Sequence, residues 1–360
     1  MDYTLHHIDV DDVNETIAWD VYVDHHVHAS FYHHSKYLTM IRRAFGHKNI
    51  SVYAKDTTGK IVGVLPLIHT KSFLFGQYIT SLPFFNYGGV LADNESAEQA
   101  LIDSAIRYAQ SNGVVSIQLR EMHGRFKEQP QFDCSEEKMS MVLKLPEEMK
   151  QIGEGNAKKR AKLRSQAKLA VRKAEDQAVV VRQVFGHSEL LGDFYHVFSC
   201  HMRDLGTPVY GRSFFATVLE HLGDEAILTV SYWDNKPVAC GFLIRQGERM
   251  EIPWASTLKE ANGVSMNTYM YWNILEHAMS LGVVEFDFGR SSVDAGTYKF
   301  KKQWGAEPQQ CYWYTWTADG EQAPDLSPKN SNFDLAIKVW QRLPLWVTKL
   351  AGPQIVKNLP

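Results

Sequence analysis

The residues that are best suited to take part in catalysis or ligand binding lie at 287–305, in the sequence DFGRSSVDAGTYKFKKQWG. A strand end that delivers Arg290, followed by Phe300 and Lys301, offers cations to an anionic ligand or to a charged transition state. An ordinary strand-to-helix turn accounts for the same residues. The elements around this stretch have to indicate which interpretation applies.

Composition limits the possible folds before any motif is considered. The chain has 360 residues, 44% of them hydrophobic, which exceeds one typical core and suits two domains. A formal net charge of -3 argues against a protein that coats nucleic acid, although a local basic patch stays open. The four cysteines are widely separated and form no C-x-x-C pair, so they indicate neither a zinc knuckle nor a disulfide framework and favour a reducing compartment.

The sequence predicts neither secretion nor a membrane span. The N-terminus is polar and acidic and lacks the basic-then-apolar order of a signal peptide. No run of about 18 apolar residues occurs. We therefore expect a cytoplasmic protein.

One order of elements occurs twice along the chain. Residues 49–120 predict two strands joined by a turn, then a loop, a helix and a strand, and residues 225–290 predict the same order. A helix that ends at a glycine precedes each copy, at residues 31–46 and 208–223. Units of this length are too long for a solenoid. The repeat therefore predicts two fused α/β domains, each with a mixed, mainly antiparallel sheet flanked by helices.

The last strand of the second copy sets the position of the polar residues. Its alternation predicts that Val284, Phe286 and Phe288 face the core and that Asp287 faces away. Asp287 and Arg290 would then lie at the open end of a strand whose other face is buried.

This repeated pattern resembles two GNAT (acetyltransferase-like) domains in tandem. The sequences FDFGR and YKFKKQWG (within 286–305), SLPFFNYGG (81–89) and KKRAKLRSQAKLAVRKA (158–174) look like the FemAB family of peptidyl (aminoacyl) transferases. The predicted domains are 1–150, 151–320 with the catalytic motif, and an amphipathic C-terminal tail over 321–360. The end of the tail, residues 340–360, also resembles FemAB-like proteins of exopolysaccharide and exosortase (PEP-CTERM) gene clusters.

The family moves an aminoacyl group, usually from a charged tRNA, to an amine of a cell-wall precursor. The resemblance therefore implies an acyltransferase acting on a nucleotide- or lipid-linked peptidoglycan or exopolysaccharide precursor. The donor would be aminoacyl-tRNA or acyl-CoA, with no permanently bound cofactor. The sequence lacks the long coiled-coil arm that some members carry. The segment that would hold the CoA pyrophosphate contains a single glycine, Gly263, and is therefore not a glycine-rich loop. An acyl-CoA-dependent N-acyltransferase and a non-catalytic module that gathers envelope-synthesis proteins stay open as alternatives.

The catalytic residues follow from this resemblance. Acyl transfer to an amine passes through a tetrahedral oxyanion, which a fixed cation stabilises. The family's Phe-Lys pair matches Phe300 and Lys301, so Lys301 would stabilise the oxyanion and Phe300 would shape the site. Asp287, or a carboxylate of the substrate, would remove the amine proton. The alternative for Lys301 is a solvated lysine beside Lys299 and Lys302.

Three neighbours of this pair are predicted to bind substrate. Arg290 suits a phosphate or carboxylate because its guanidinium is a planar fork, with an ion pair to Asp287 or Asp294 as the alternative. Gly289 would let a ligand approach the backbone closely, although a simple turn also explains it. Tyr298 belongs to the motif that carries the resemblance.

Two further segments are predicted to contact substrate. Asn86 and Tyr87 line the acceptor cleft by resemblance, with a buried aromatic cluster as the alternative. The helix at 158–173 spaces four cations four residues apart: Arg160, Arg164, Lys168 and Arg172. Such a stripe suits pyrophosphate, RNA phosphates or an anionic membrane surface, and a solvated helix face is the alternative.

Two remaining features concern metals and membranes. Five histidines lie within residues 25–34, but no third ligand accompanies a His-x-His pair, so no metal site is predicted. The tail combines tryptophan and leucine with lysine and arginine, which suits peripheral contact with a membrane surface. Docking of the tail on the protein's own body is the alternative.

Overall fold

The computed structural model describes residues 3–72, 76–124, 126, 130–319 and 334–359. The chain divides into two compact units. Unit 1 comprises Met1–Lys138, Gln310–Ser327 and Lys357–Pro360, and unit 2 comprises Met139–Gln309 and Pro328–Val356. Residues 320–333 and 360 of the predicted tail lie outside the described residues.

The strands lie along the whole described chain: β1 Thr4–His7, β2 Lys48–Asn49, β3 Val52–Lys55, β4 Ile61–Leu65, β5 Ile68–Ser72, β6 Gly76–Thr80, β7 Leu91–Ala92, β8 Ser116–Glu121, β9 Asp133–Ser135, β10 Lys138–Lys144, β11 Val181–Gly186, β12 Ala226–Trp233, β13 Lys236–Gln246, β14 Arg249–Thr257, β15 Glu285–Ser292, β16 Glu307–Gln310 and β17 Tyr312–Thr317. The helices alternate with them: α1 Val13–His25, α2 Ser35–Phe45, α3 Glu95–Ser111, α4 Ala157–Ala167, α5 Leu169–Asp176, α6 Leu191–Leu205, α7 Arg212–Leu222, α8 Met266–Ser280, α9 Gly296–Lys302, α10 Asp334–Trp340 and α11 Leu345–Val356.

As far as the structure describes it, unit 1 contains two sheets, and α3 packs against them. Within its described residues it holds a four-stranded sheet of order β1-β3-β4-β7 and a six-stranded sheet of order β2-β5-β6-β8-β17-β9. The pair β6 and β8 is parallel. Asn94 precedes α3 and caps it: its side chain accepts a hydrogen bond from the Ala97 amide and so satisfies one of the free N–H groups of the first turn. Leu101 and Ile117 belong to the buried core of this unit.

Unit 2 is built around one larger sheet. Its described strands have the order β11-β12-β13-β14-β15-β10-β16, in which β14 and β15 are parallel and β11 to β14 pair antiparallel. α8 contributes Ile274 and Leu275 to the core, together with Phe286 and Phe288 of β15. The mixed α/β fold with sheets flanked by helices is confirmed.

The repeated order of elements occurs as α2, β3, β4, β6, α3 and β8 in unit 1 and as α7, β12, β13, β14, α8 and β15 in unit 2. Gly46 ends α2 in the left-handed conformation, with φ 73° and ψ 14°. Gly223 ends α7 differently, with φ 51° and ψ -126°. Val284 is 51% exposed and not buried as the alternation predicted, because β15 begins only at Glu285.

The basic helix predicted over 158–173 is two helices. α4 ends at Ala167 and α5 begins at Leu169, with Lys168 at the junction between them. The predicted stripe of cations is therefore interrupted, and the prediction of one continuous helix was wrong. The apolar face was predicted correctly, since Leu163, Ala167, Ala170 and Ala174 are buried.

None of the described helices combines the length and the apolar character that crossing a membrane would require.

Candidate functional site

The central feature of unit 2 is a fork between two parallel strands. β14 and β15 pair over residues 249–251 and 285–287. Beyond Glu251 and Asp287 the described strands continue to Thr257 and Ser292 without pairing to each other. Gly289, with φ 73°, turns the backbone of β15 just past this point. The two strands thus separate beyond Glu251 and Asp287.

Lys301 lies at the mouth of this fork. Its side chain comes from α9, which directly follows β15, and the residue is 8% exposed. The Nζ atom donates to the carbonyl oxygens of Gly289 and Arg290, each at 2.9 Å. An ammonium group has three N–H donors. These two carbonyl oxygens occupy two of the three donors.

Burial lowers the pKa of Lys301 from 10.5 to about 8. The negative charges of Asp287 and Glu251 oppose this effect, and the charge of Arg290 adds to it. The two carboxylates thus favour a protonated Lys301 near neutral pH. A buried lysine with a strongly shifted pKa beside specific charged groups is typical of a functional site.

We expect kcat/KM to fall as the pH rises through about 8. The ammonium form is the predicted oxyanion donor, and it is lost above its own pKa, whereas the acceptor amine becomes a better nucleophile as it loses its proton. A bell-shaped profile of kcat/KM against pH should result. Residual activity of Lys301→Met should lack the alkaline decline. An identical decline in this variant would assign the effect to another group.

Two carboxylates adjoin Lys301 at the base of the fork. The Oδ1 atom of Asp287 accepts hydrogen bonds from Ser140 Oγ and from the Gly289 amide, each at 2.7 Å. Glu251 is the register partner of Asp287 and is 1% exposed. Sequence reasoning found Asp287 but missed Glu251 and Ser140. A lone glutamate within the apolar strand RMEIPWAST was the available signal for Glu251.

An aromatic cluster holds α9 in place. Trp304, fully buried, packs against Phe288 and Tyr271, and Phe300 meets Tyr271 edge to face at 5.2 Å between ring centroids. The Trp304 carbonyl accepts from the Gly153 amide at 3.1 Å. Phe300 therefore supports the position of Lys301 by packing.

The predicted substrate-binding residues around Lys301 lie close to it in the chain. Gly289 is buried, and Arg290 and Tyr298 are partly exposed. The Gly289 and Arg290 backbones accept the Lys301 hydrogen bonds, and Tyr298 packs against the core. Their contact with substrate stays a prediction.

Unit 1 contains the equivalent parallel strand pair, but β6 ends where the pairing ends, and residues of unit 1 pack beside the end of β8. β6 and β8 pair over 78–80 and 116–118. Past this point Arg120 donates from Nη1 to the Phe85 carbonyl at 3.2 Å and from Nε to Gln118 Oε1 at 3.0 Å. Its guanidinium lies over the Trp313 ring, 4.8 Å from the centroid. Arg120, which the repeat aligns with Arg290, is therefore a packing residue of unit 1.

The loop that was predicted to line the acceptor cleft lies inside unit 1. Asn86 and Tyr87 are buried, and the Tyr87 ring lies 6.0 Å from Tyr32, which also contacts Phe85. This is the aromatic cluster that the sequence left open as the alternative. A role in acceptor binding stays a prediction.

Gly89→Ala is expected to destabilise unit 1 by about 2–4 kcal/mol. A Cβ atom at Gly89 would overlap the Glu121 carboxylate. That buried carboxylate accepts from the Val90 amide at 2.7 Å, so it cannot move without losing a buried hydrogen bond. Gly192→Ala is the matched control, because a Cβ there meets nothing within 4 Å. Chemical denaturation measures both variants, and equal stability for the two would contradict the packing described.

Residues 161–302 match the family model of the acetyltransferase (GNAT) domain. The matched segment contains the fork of unit 2 and ends one residue after Lys301. The chain therefore carries a GNAT domain, and the protein is an acyltransferase. None of the curated proteins matches the chain.

Solved structures are similar in fold to most of this chain, including residues of both units. FemX has a TM-score of 0.62 at 14% identity, with 88% of this chain and 97% of that chain covered. A tandem GNAT protein from the clavulanic acid biosynthesis pathway has a TM-score of 0.58 at 10% identity, with 89% and 100% covered. The C-terminal domain of a protein named as a lysylphosphatidylglycerol synthetase, from Agrobacterium fabrum, has a TM-score of 0.56 at 12% identity, with 84% and 90% covered. These likenesses establish the fold.

The predicted phosphate-binding arginines of the GNAT-type unit 2 bind backbone carbonyls. Arg160 donates to Gly155 O at 2.6 Å, and Arg164 approaches Lys150 O at 3.4 Å. Arg172 donates to Ser165 O at 2.9 Å. These contacts stabilise the two basic helices, while binding of phosphate stays a prediction.

A cavity of about 290 Å³ lies beside α4. Lys159, Lys162 and Gln166 line it together with Glu154 and Gln303. Two lysines of α4, Lys159 and Lys162, therefore face an open cavity next to the end of α9. The predicted stripe of cations did not include these two lysines.

The described residues contain no group of three or more His, Cys, Asp or Glu side chains that could hold a metal ion. The histidines of residues 25–34 have other contacts. His33 binds the Gly89 carbonyl at 3.1 Å, and burial lowers its pKa to about 3. His34 pairs with Asp24 at 2.9 Å.

Proposed function

We propose that this acyltransferase transfers an acyl group to an amine of a cell-envelope precursor, with Lys301 as the oxyanion donor. The observation that carries the proposal is the buried Lys301 side chain at the fork, with two N–H groups held by backbone carbonyls; its third N–H would meet the substrate oxygen. A cation held in this way needs no reorganisation when negative charge develops. The reaction would take place in the predicted second domain, residues 151–320.

The bond changes are those of aminolysis. The acceptor nitrogen attacks the carbonyl carbon of the activated acyl group, and the carbonyl oxygen becomes an oxyanion beside Lys301. The carbon–oxygen or carbon–sulfur bond to the donor then breaks, and the leaving group takes up a proton. Asp287 is the proposed acceptor of the amine proton, with a substrate carboxylate as the alternative. Its hydrogen bonds from Ser140 and Gly289 stabilise the charged carboxylate.

Arg290, Gly289, Tyr298 and Phe300 would surround the reacting groups. The phosphate groups of donor or acceptor would lie along α4, where Lys159 and Lys162 face the cavity beside α9. Lysine suits this role as a point charge for phosphate.

The identity of donor and acceptor is supported to different degrees. The match to an acetyltransferase family model favours acyl-CoA as donor. Aminoacyl-tRNA rests on the sequence resemblance to the FemAB family. The name of the Agrobacterium protein, a lysylphosphatidylglycerol synthetase, supports a lipid-linked acceptor. A peptidoglycan or exopolysaccharide precursor at the inner face of the membrane fits this class.

The test supplies labelled acyl-CoA and labelled aminoacyl-tRNA separately, with a total extract of nucleotide- and lipid-linked envelope precursors as acceptor. An RNase-treated tRNA sample and Lys301→Met are the controls. We expect label to reach an amine of the precursor fraction from one donor, and to be lost in the variant. Absence of transfer from both donors, with the protein folded, would contradict the proposed function.

A further inference from the structure

The outer faces of α10 and α11 present large apolar side chains to solvent. Trp346 and Leu350 on α11 are 70% and 71% exposed, and Leu335 on α10 is 74% exposed. Val339, one turn after Leu335, is also exposed. Exposed tryptophan and leucine at i and i+4 on a helix are unusual on the surface of a water-soluble domain.

The orientation of α11 is fixed by its inner face. Thr348 and Gly352 are buried, and a Cβ atom at Gly352 would lie 2.8 Å from the Val209 amide nitrogen. The helix backbone therefore lies directly against the body of unit 2. At about 100° per residue, Trp346 and Leu350 point away from that body.

α10 is anchored in a similar way. A Cβ atom at Gly206 would overlap Ile337 of α10, so this glycine lets the helix approach the end of α6. Gln341 Nε2 donates to the Asp204 carbonyl at 3.2 Å. The tail helices thus dock on the protein's own body with one face, while the other face stays exposed.

Charge is concentrated on the same segment. Residues 334–357 contain four cations against Asp334 as the one acidic residue, in a chain whose formal net charge is -3. Lys338 and Arg342 are exposed and lie one turn apart. Exposed Trp and Leu on α11, with exposed Lys and Arg on and just after α10, are complementary to a surface that is apolar inside and anionic at its headgroups.

We propose that α10 and α11 form a peripheral binding surface for anionic phospholipid. Trp346 and Leu350 would enter the headgroup region, and Lys338 and Arg342 would contact lipid phosphates. This deepens the proposed function, since a lipid-linked acceptor is presented at a membrane. Binding itself requires neither donor nor acceptor.

The test is co-sedimentation with vesicles of phosphatidylcholine and phosphatidylglycerol in equal parts. We expect wild type to sediment with them, and Trp346→Glu/Leu350→Glu to bind at least about tenfold more weakly. Both side chains are exposed, so the double variant should fold. Val180→Glu is the matched control, because Val180 is an exposed apolar residue elsewhere in unit 2, and it should bind as wild type. Vesicles of phosphatidylcholine alone and raised salt should both weaken binding.

Wild type that stays in the supernatant, or a double variant that sediments as wild type, would overturn the proposal. Sedimentation velocity is run on the same samples without lipid, and a wild-type dimer that the double variant dissociates would assign the surface to a second copy and also overturn it. Lys301→Met should bind vesicles as wild type does. Vesicle binding without acyl transfer would therefore refute the proposed function and leave the lipid surface standing.

Discussion

Lys301→Met is expected to lower kcat by about 10²–10³-fold, the usual cost of losing one oxyanion donor. The change removes the cation at the fork, while methionine keeps most of the side-chain volume. The free energy of unfolding should fall by about 1–3 kcal/mol, because two carbonyls lose a donor and Asp287 and Glu251 lose a neighbouring cation, while the removal of a buried charge offsets part of this loss. Single-turnover rates with saturating donor, together with denaturation curves, measure the two effects separately.

Lys302→Met is the matched control for this prediction. Lys302 is the adjacent residue on α9, but it is exposed and lies 4.0 Å from Glu154. We expect its kcat to stay within about twofold of wild type, since surface ion pairs contribute little. Equal losses in the two variants would mean that positive charge on α9 matters only in general, and that Lys301 has no specific role.

Trp304→Ala is expected to reduce the free energy of unfolding by about 3–5 kcal/mol, as for other fully buried aromatic residues. The indole fills the space between Phe288, Phe300 and Tyr271, and the truncation leaves a cavity beneath α9. Turnover should fall as well, because α9 carries Lys301. Denaturation and kcat measured below the unfolding transition check both parts.

Trp304→Phe separates packing from hydrogen bonding at this position. Within the described residues the buried Trp304 Nε1 has no hydrogen-bond partner, so phenylalanine removes volume without breaking a polar contact. We expect Trp304→Phe to reduce the free energy of unfolding clearly less than Trp304→Ala does, and to leave kcat near that of wild type. A loss equal to that of the alanine variant would indicate that the indole acts through a contact other than packing.

The fold was largely predictable because it follows local patterns. The order of elements in both copies was predicted from three patterns: the alternation of the strands, the apolar face of the helices, and the glycine after α2. The break at Lys168 was not predictable, since nothing in the sequence KKRAKLRSQAKLAVRKA disfavours a continuous helix. The start of β15 also depends on tertiary contacts, which is why Val284 is exposed.

The residues of the candidate site could be named from the sequence, but their geometry could not. The family resemblance singled out Lys301, and its hydrogen bonds to Gly289 and Arg290 depend on how α9 folds back on β15. Glu251 is 36 residues from Asp287 in the chain and becomes its neighbour only through the parallel pairing of β14 and β15. Long-range pairing of this kind leaves no local signal in a single sequence.

The most direct measurement of the central claim is the affinity for a tetrahedral phosphonate analogue of the acyl-transfer intermediate, built on the donor that the transfer assay identifies. Its anionic oxygen stands in for the oxyanion, so the interaction with Lys301 is made in full without turnover. We predict that wild type and Lys302→Met bind the analogue about 10²-fold more tightly than Lys301→Met, while all three bind the planar amide product equally. Equal affinity of Lys301→Met and wild type for the phosphonate would contradict the assignment of the oxyanion site to Lys301.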